Sequence, residues 1–97
     1  MKEALPAGII ASSVTPFGPG GVVSVDRIRP HIDWLIAEGA NALSPLGSSG
    51  EFTALEMDDR KRVIEAVVEA CGGQVPVWAG AHHYSTRLTV ELARHAE

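Results

Sequence analysis

Two hydroxyl side chains sit between glycines in the stretch Gly47-Ser48-Ser49-Gly50-Glu51-Phe52, directly after the apolar run Ala42-Leu43-Ser44-Pro45-Leu46. Small residues at the end of an apolar run, followed by an acid that opens a helix, read as a strand edge turning into an anion-holding loop. A carboxylate needs donors that converge within about 3 Å, and hydroxyls together with backbone N–H groups at a helix N-terminus supply them with little bulk. A serine hydroxyl also donates and accepts at once, which is what relaying a proton requires. Gly47 and Gly50 are expected to let the backbone come close to a ligand. The competing reading is a plain turn with a serine cap. Glu51, at a helix start, is expected to make capping contacts with free N–H groups rather than to do acid–base chemistry.

Other residues could carry chemistry, with weaker patterns. His82-His83-Tyr84 follows an apolar run, but adjacent histidines point apart and no HxH or HExxH spacing supports a metal site. One of the two could line a substrate pocket. Thr15-Pro16-Phe17 is expected to shape the mouth of the site, with Phe17 either a pocket wall or a buried aromatic in a rigid loop. A nucleophile elbow needs glycines four apart, whereas Gly47 and Gly50 are three apart, so no serine hydrolase is indicated. Neither the Gly47 nor the Gly80 loop has the G-x-G-x-x-G of a dinucleotide site.

The elements that must position these groups come in repeated strand–helix units. Gly8 to Val14 is an apolar run closed by a Pro- and Gly-rich loop. Val25, Ile28, Ile32, Leu35 and Ile36 fall on one face of a helix that Gly39 ends. Ser24 or Asp26 could cap it, and Pro30 favours the later start. Ala42 to Leu46 is the second strand. A helix from Met57 to Cys71 then carries Val63, Ile64, Val67, Val68 and Cys71 on one face, with Gly72-Gly73 stopping it. Asp58 and Asp59 suit its first turn, and Arg60, Lys61 and Arg62 read as a solvated charge run. Val75 to Ala79 is the third strand, and Ser85 caps a third helix with Leu88, Leu92 and Ala96.

Strand ends at Val14, Leu46 and Ala79 lie 32 and 33 residues apart, so each unit has room for one strand, one crossover helix and two short loops. The fold class expected is α/β. Eight such units come to about 260 residues, near the size of a TIM (β/α)₈ barrel, so residues 1–97 read as its first three β/α units, an incomplete N-terminal fragment of a single barrel domain. A flavodoxin-like domain is the competing architecture and would also be incomplete. Alone, such a sheet would leave one face and its edges open.

Composition excludes several classes. With 97 residues, 45% hydrophobic, and a net charge of −4, the chain suits a globular domain without the basic stripe that nucleic acid needs. No apolar run approaches the roughly 20 residues of a membrane span, and Met1 to Pro6 lacks the core of a signal peptide, so a cytoplasmic location is expected. Cys71, the only cysteine, reads as a small buried hydrophobe.

Val14-Thr15-Pro16-Phe17, Val25-Asp26, Gly47-Ser48-Ser49-Gly50-Glu51 with Leu55, Val75-Pro76-Val77-Trp78-Ala79-Gly80 and Ser85-Thr86 resemble, in order and separation, the landmarks of the dihydrodipicolinate synthase/N-acetylneuraminate lyase family. Each is weak alone; their order carries the resemblance. It implies a Schiff-base lyase or aldolase acting on pyruvate or another 2-oxo acid, on a (β/α)₈ barrel, as a homotetramer, with no metal, nucleotide or other cofactor. By the same resemblance Ser48 takes the proton-relay position, and Gly47, Ser48 and Ser49 bind the carboxylate, Ser49 through its hydroxyl and N–H. Ser-Ser departs from the family's Thr-Thr and Ser-Thr pairs, so this loop does not assign the substrate; by the resemblance, loops after strands four to seven, beyond Glu97, choose between aldehyde and sugar acid and between aldol chemistry and dehydration.

Schiff-base chemistry needs a poised amine at a strand end. The chain has only Lys2 and Lys61, one ahead of the first strand and one on a charged helix face. The family's lysine and tyrosine belong to the sixth and fifth strands, beyond Glu97. The expectation is an enzyme whose 97-residue portion is silent alone, with a non-catalytic binding remnant as the alternative.

Overall fold

A computed structural model describes residues 7–97; Met1 to Pro6, and with them Lys2, lie outside the described residues. Strand β1 (Ile10–Ala11) pairs in parallel with β2 (Ala42–Leu43), Ile10 opposite Ala42 and Ala11 opposite Leu43. On its other side β2 meets a third parallel segment through Leu43 and Val77. The Leu43 N–H donates to the Pro76 carbonyl at 2.9 Å, and its own carbonyl accepts from the Trp78 N–H at 2.8 Å. β2 is therefore central, as the crossover spacing requires.

All three strands are shorter than their apolar runs. Pairing of β1 continues only as isolated bonds, from the Asn41 N–H to the Ile9 carbonyl at 2.8 Å and from the Ser13 N–H to the Ser44 carbonyl at 3.3 Å. The third segment makes one bridge, because Pro76 has no N–H to give and the segment has a neighbour on one side only among the described residues. β2 stops early for a backbone reason. Leu46 adopts φ 63° and turns the chain out of the sheet. A left-handed leucine is sterically unfavourable by about 1–2 kcal/mol, so tertiary contacts must hold it. They do: its side chain is fully buried (0% exposed), and its backbone is gripped between Gly50 and Gly80. A Cβ on Gly50 would lie 2.9 Å from the Leu46 nitrogen, and one on Gly80 would lie 2.3 Å from its carbonyl oxygen.

The first crossover enters through a 3₁₀ turn, Val25–Arg27, before α1 (Ile28–Ala37). Neither expected cap applies, since Ser24 makes no side-chain cap bond and Arg27 occupies the cap of α1. Pro30 then falls in the first turn, where its missing N–H leaves no bond broken. Ile28 and Ile32 are buried, and Gly39 follows the helix at φ 102°. Helix α2 spans Met57–Cys71, as its sequence pattern predicts, and ends at a left-handed Gly72. It buries Val63, Ile64, Val67 and Cys71, but Val68 is half exposed, one position off the stripe. The Cys71 thiol donates to the Val75 carbonyl at 3.2 Å. Helix α3 (Thr86–Ala96) starts at Ser85, whose hydroxyl accepts from the Leu88 N–H at 3.3 Å. Leu92 is its buried anchor, while Ala96 is exposed.

One correction concerns charge. Arg60 is not part of a solvated run: it is 6% exposed and faces inward. Only its neighbours behave as surface charges, Lys61 pairing with Glu91 on α3 at 2.9 Å and Arg62 with Asp59 at 3.5 Å.

The helices cover one face of the sheet. Ala11, Val75, Val77 and Ala79 pack against the core formed by Ile28, Ile32, Leu43, Leu46 and the α2 stripe. The alternate side chains point the other way, and Ile10, Val14 and Trp78 are 38%, 52% and 40% exposed. Phe17 is half-buried against the core, in a loop closed by its bridge to Val23. This is the rigid-loop reading of Thr15-Pro16-Phe17.

Replacing Gly80 with alanine should cost about 2–3 kcal/mol, because the added methyl meets the Leu46 backbone rather than a movable side chain. Gly47→Ala, where nothing lies within 4 Å, should stay within about 0.5 kcal/mol. Urea denaturation of both variants checks the contrast.

Candidate functional site

The Gly47–Glu51 loop leaves the C-terminal edge of β2 by way of Leu46. Two successive turns shape it: the Gly50 N–H donates to the Gly47 carbonyl and the Glu51 N–H to the Ser48 carbonyl, both at 3.0 Å. These bonds use the loop's carbonyls and the N–H groups of its second half. Among the described residues, the N–H groups of Gly47, Ser48 and Ser49 donate to no backbone acceptor. These three consecutive N–H groups on a tight turn make up a nest of donors without a backbone partner. Ser48 and Ser49 are exposed beside it. Neither serine caps the following 3₁₀ turn, Phe52–Ala54, whose cap position is Glu51.

Two sequence expectations change here. The acid does not open a long helix but a single 3₁₀ turn, so the dipole of α2 does not end at the loop. Glu51 is exposed, left-handed at φ 57°, and makes no side-chain cap bond. Its carboxylate would otherwise compete for the same N–H groups that an anion needs. Gly50 is packed against the Leu46 backbone, whereas a Cβ on Gly47 would meet nothing within 4 Å.

The loop is pinned from beneath by a residue that the sequence does not single out for this purpose. Thr15 is 4% exposed, and its hydroxyl donates to the Gly50 carbonyl at 2.7 Å across 35 positions of sequence. That bond fixes the peptide following Gly50, whose N–H is the Glu51 donor of the second turn. Ser13 lies on the same buried side of the first strand, its hydroxyl without a partner.

His82 and His83 do not join the serine loop. They line a separate cavity of about 320 Å³ with Phe52, Thr53, Arg60 and Tyr84. His83 is turned to its own loop: its Nδ1 accepts from the Ser85 N–H at 3.0 Å, leaving the ring proton on Nε2. Arg60 closes the inner wall, donating from Nε to the Leu55 carbonyl at 3.1 Å and from Nη1 to the His82 carbonyl at 2.6 Å. A signal for its burial exists in the sequence: it precedes Val63, Ile64 and Val67 by three, four and seven residues, and so belongs to their stripe. Among the described residues no three His, Cys, Asp or Glu side chains cluster to hold a metal, and no helix is long and apolar enough to cross a membrane.

Lys61 is set up as a cation. A hydrogen bond to Glu91 is the main cause that raises its pKa above the ordinary lysine value, and the same bond lowers that of Glu91. A Schiff-base amine needs the opposite.

Parallel strands joined by helices, with a glycine–serine loop where the central strand ends, make this an α/β protein. The chain belongs to the Dihydrodipicolinate synthetase family, whose profile matches residues 5–97. The 4-hydroxy-tetrahydrodipicolinate synthase of Rhizobium meliloti (strain 1021) is 44% identical over 90 residues, 93% of this chain and 31% of that protein. Among solved structures, the Proteus mirabilis N-acetylneuraminate lyase is 36% identical with a TM-score of 0.91, over 97% of this chain and 32% of the other. YagE, a prophage protein of the dihydrodipicolinic acid synthase family from E. coli K12 solved in complex with pyruvate, is 35% identical with a TM-score of 0.91, over 96% and 31%. The chain thus spans about a third of the length of the relatives it matches.

Thr15→Val should cost about 1–2 kcal/mol, since it leaves the Gly50 carbonyl without its donor, whereas Thr15→Ser should retain most of the stability. Thermal and urea unfolding of the pair measure this directly.

Proposed function

We propose that residues 1–97 form the first three β/α units of a (β/α)₈ barrel in a Schiff-base-forming lyase or aldolase that acts on pyruvate or another 2-oxo acid. The nest of Gly47, Ser48 and Ser49 is the observation that carries this reading. Its free N–H groups and two exposed hydroxyls suit one face of a carboxylate. Ser49 would donate to the carboxylate from its N–H and hydroxyl, with Gly47 and Ser48 completing the cradle. Ser48, the other hydroxyl on the same rim, would receive and pass on the proton that moves during addition and release of the second substrate. A relative with 35% identity was solved with pyruvate, which supports this class of ligand.

Two further observations support a larger barrel. One face of a parallel sheet is bare and apolar at Ile10, Val14 and Trp78, whereas parallel sheets are ordinarily covered on both faces. The relatives are also about three times as long. The reactive amine would come from the remainder of such a barrel, since Lys61 is occupied by Glu91. Among solved structures a synthase at 34% identity and a lyase at 36% lie at similar distance, so the second substrate stays open between aldehyde and sugar acid.

Borohydride reduction in the presence of pyruvate tests the reading. Mass spectrometry of the full-length gene product should show one pyruvyl adduct on a lysine other than Lys61, and the 97-residue chain should show none. An adduct on Lys61, or none on a folded full-length product, would overturn the assignment.

A further inference from the structure

Arg60 carries a buried positive charge whose hydrogen-bond partners are carbonyl oxygens from two different loops. Nε holds Leu55, at the end of the turn that follows the serine nest, and Nη1 holds His82, on the loop after the third segment. The guanidinium also lies over Phe52, 5.5 Å from the ring centroid, and Phe52 in turn meets the His82 ring at 5.0 Å with a 45° tilt. Phe52 thus meets both the guanidinium and the imidazole, and the residues that carry them are tied together by the 2.6 Å bond.

Each end of this unit continues into the nest. On one side the Phe52 N–H points to the Gly47 carbonyl at 3.5 Å, and the Leu55 N–H donates to the Phe52 carbonyl at 3.2 Å. On the other, the Gly80 N–H donates to the Pro45 carbonyl at 2.9 Å, just ahead of left-handed Leu46. The serine loop therefore has Thr15 beneath it and the Arg60–Phe52–His82 cluster at its far end.

We propose that Arg60 is a positioning residue for the carboxylate cradle: by clamping Phe52 and two loop carbonyls it fixes the orientation of the Gly47–Ser49 N–H groups. This rests on the reading of that nest as the 2-oxo acid site. The role needs a guanidinium. Its planar fork reaches two carbonyls in different directions while its face covers an aromatic ring, and a lysine ammonium, a single point on a flexible stem, cannot do all three. Its role in this proposal runs through the two carbonyls and the ring rather than through a ligand contact.

The test is pyruvate affinity of the full-length gene product, by calorimetric titration well below the unfolding temperature, with circular dichroism confirming the fold of each variant. Arg60→Lys should raise the dissociation constant about tenfold, a loss of alignment rather than of a ligand contact. Phe52→Leu, which removes the ring but keeps apolar bulk, should do the same, and Phe52→Tyr should return it to within about twofold of the unsubstituted protein. A merely structural role would lower the melting temperature of Arg60→Lys and Phe52→Leu and leave the affinity of the folded protein unchanged; that result overturns the proposal. Should Arg60→Lys fail to fold, the two Phe52 variants decide. If the unsubstituted protein binds neither pyruvate nor a longer 2-oxo acid, the functional reading itself falls, which is a different outcome from binding that the variants leave untouched.

Discussion

The left-handed backbone of Leu46 is the constraint on which the site depends. A single residue at φ 63° turns the chain out of the central strand, drives its own side chain into the core and leaves Ser48 and Ser49 exposed beyond it. Such a conformation is unfavourable for leucine and persists only because burial and two close glycines leave it no alternative. Gly50 and Gly80 come from different loops, so the same contact that holds the strain also joins the serine loop to the histidine loop. The N–H groups of Gly47 to Ser49 are free because the turns after Leu46 consume the carbonyls and not these donors.

Around that point the supports are polar and buried. Thr15 reaches across from the first strand, and Arg60 reaches back from α2. Neither touches the face that would receive a ligand. Together they make a loop of small residues rigid without filling it, which suits a cradle whose donors must be aimed before an anion arrives. Ser48 and Ser49 are left as the exposed hydroxyls on its rim.

Much of this was legible in the chain, and the parts that were not have physical reasons. Helix α2 was readable to its ends because its apolar stripe, acidic first turn and Gly72 all agree, and Ser85 was readable as a cap for the same kind of reason. Cys71 followed the stripe into the core. The strands were readable as positions but not as lengths: β1 and β2 are two residues each, shorter than their apolar runs, and Pro76 removes a donor from the third segment. Leu46 carries no signal at all, because nothing about a leucine announces positive φ. Arg60 was hidden by its neighbours: in Arg60-Lys61-Arg62 the charge pattern says surface, while the helical period places the first of the three inside. Glu51 misled in the opposite sense, having the right type and place for a cap but a backbone that aims it away.

The bare sheet face has a consequence for how a longer relative is made. Ribosomes emit the N-terminal strands first, at about 5–20 residues per second, so in a protein three times this length some two hundred residues follow over roughly 10–40 seconds. During that interval Ile10, Val14 and Trp78 lie open beside two strand edges, the arrangement most prone to pairing with another chain. Nascent chains on one message would meet each other at this surface before their own later strands could cover it. In the proposed barrel, the outer edge of β1 and the single-bridge edge of the third segment would be the places where misassembly competes with completion of the fold.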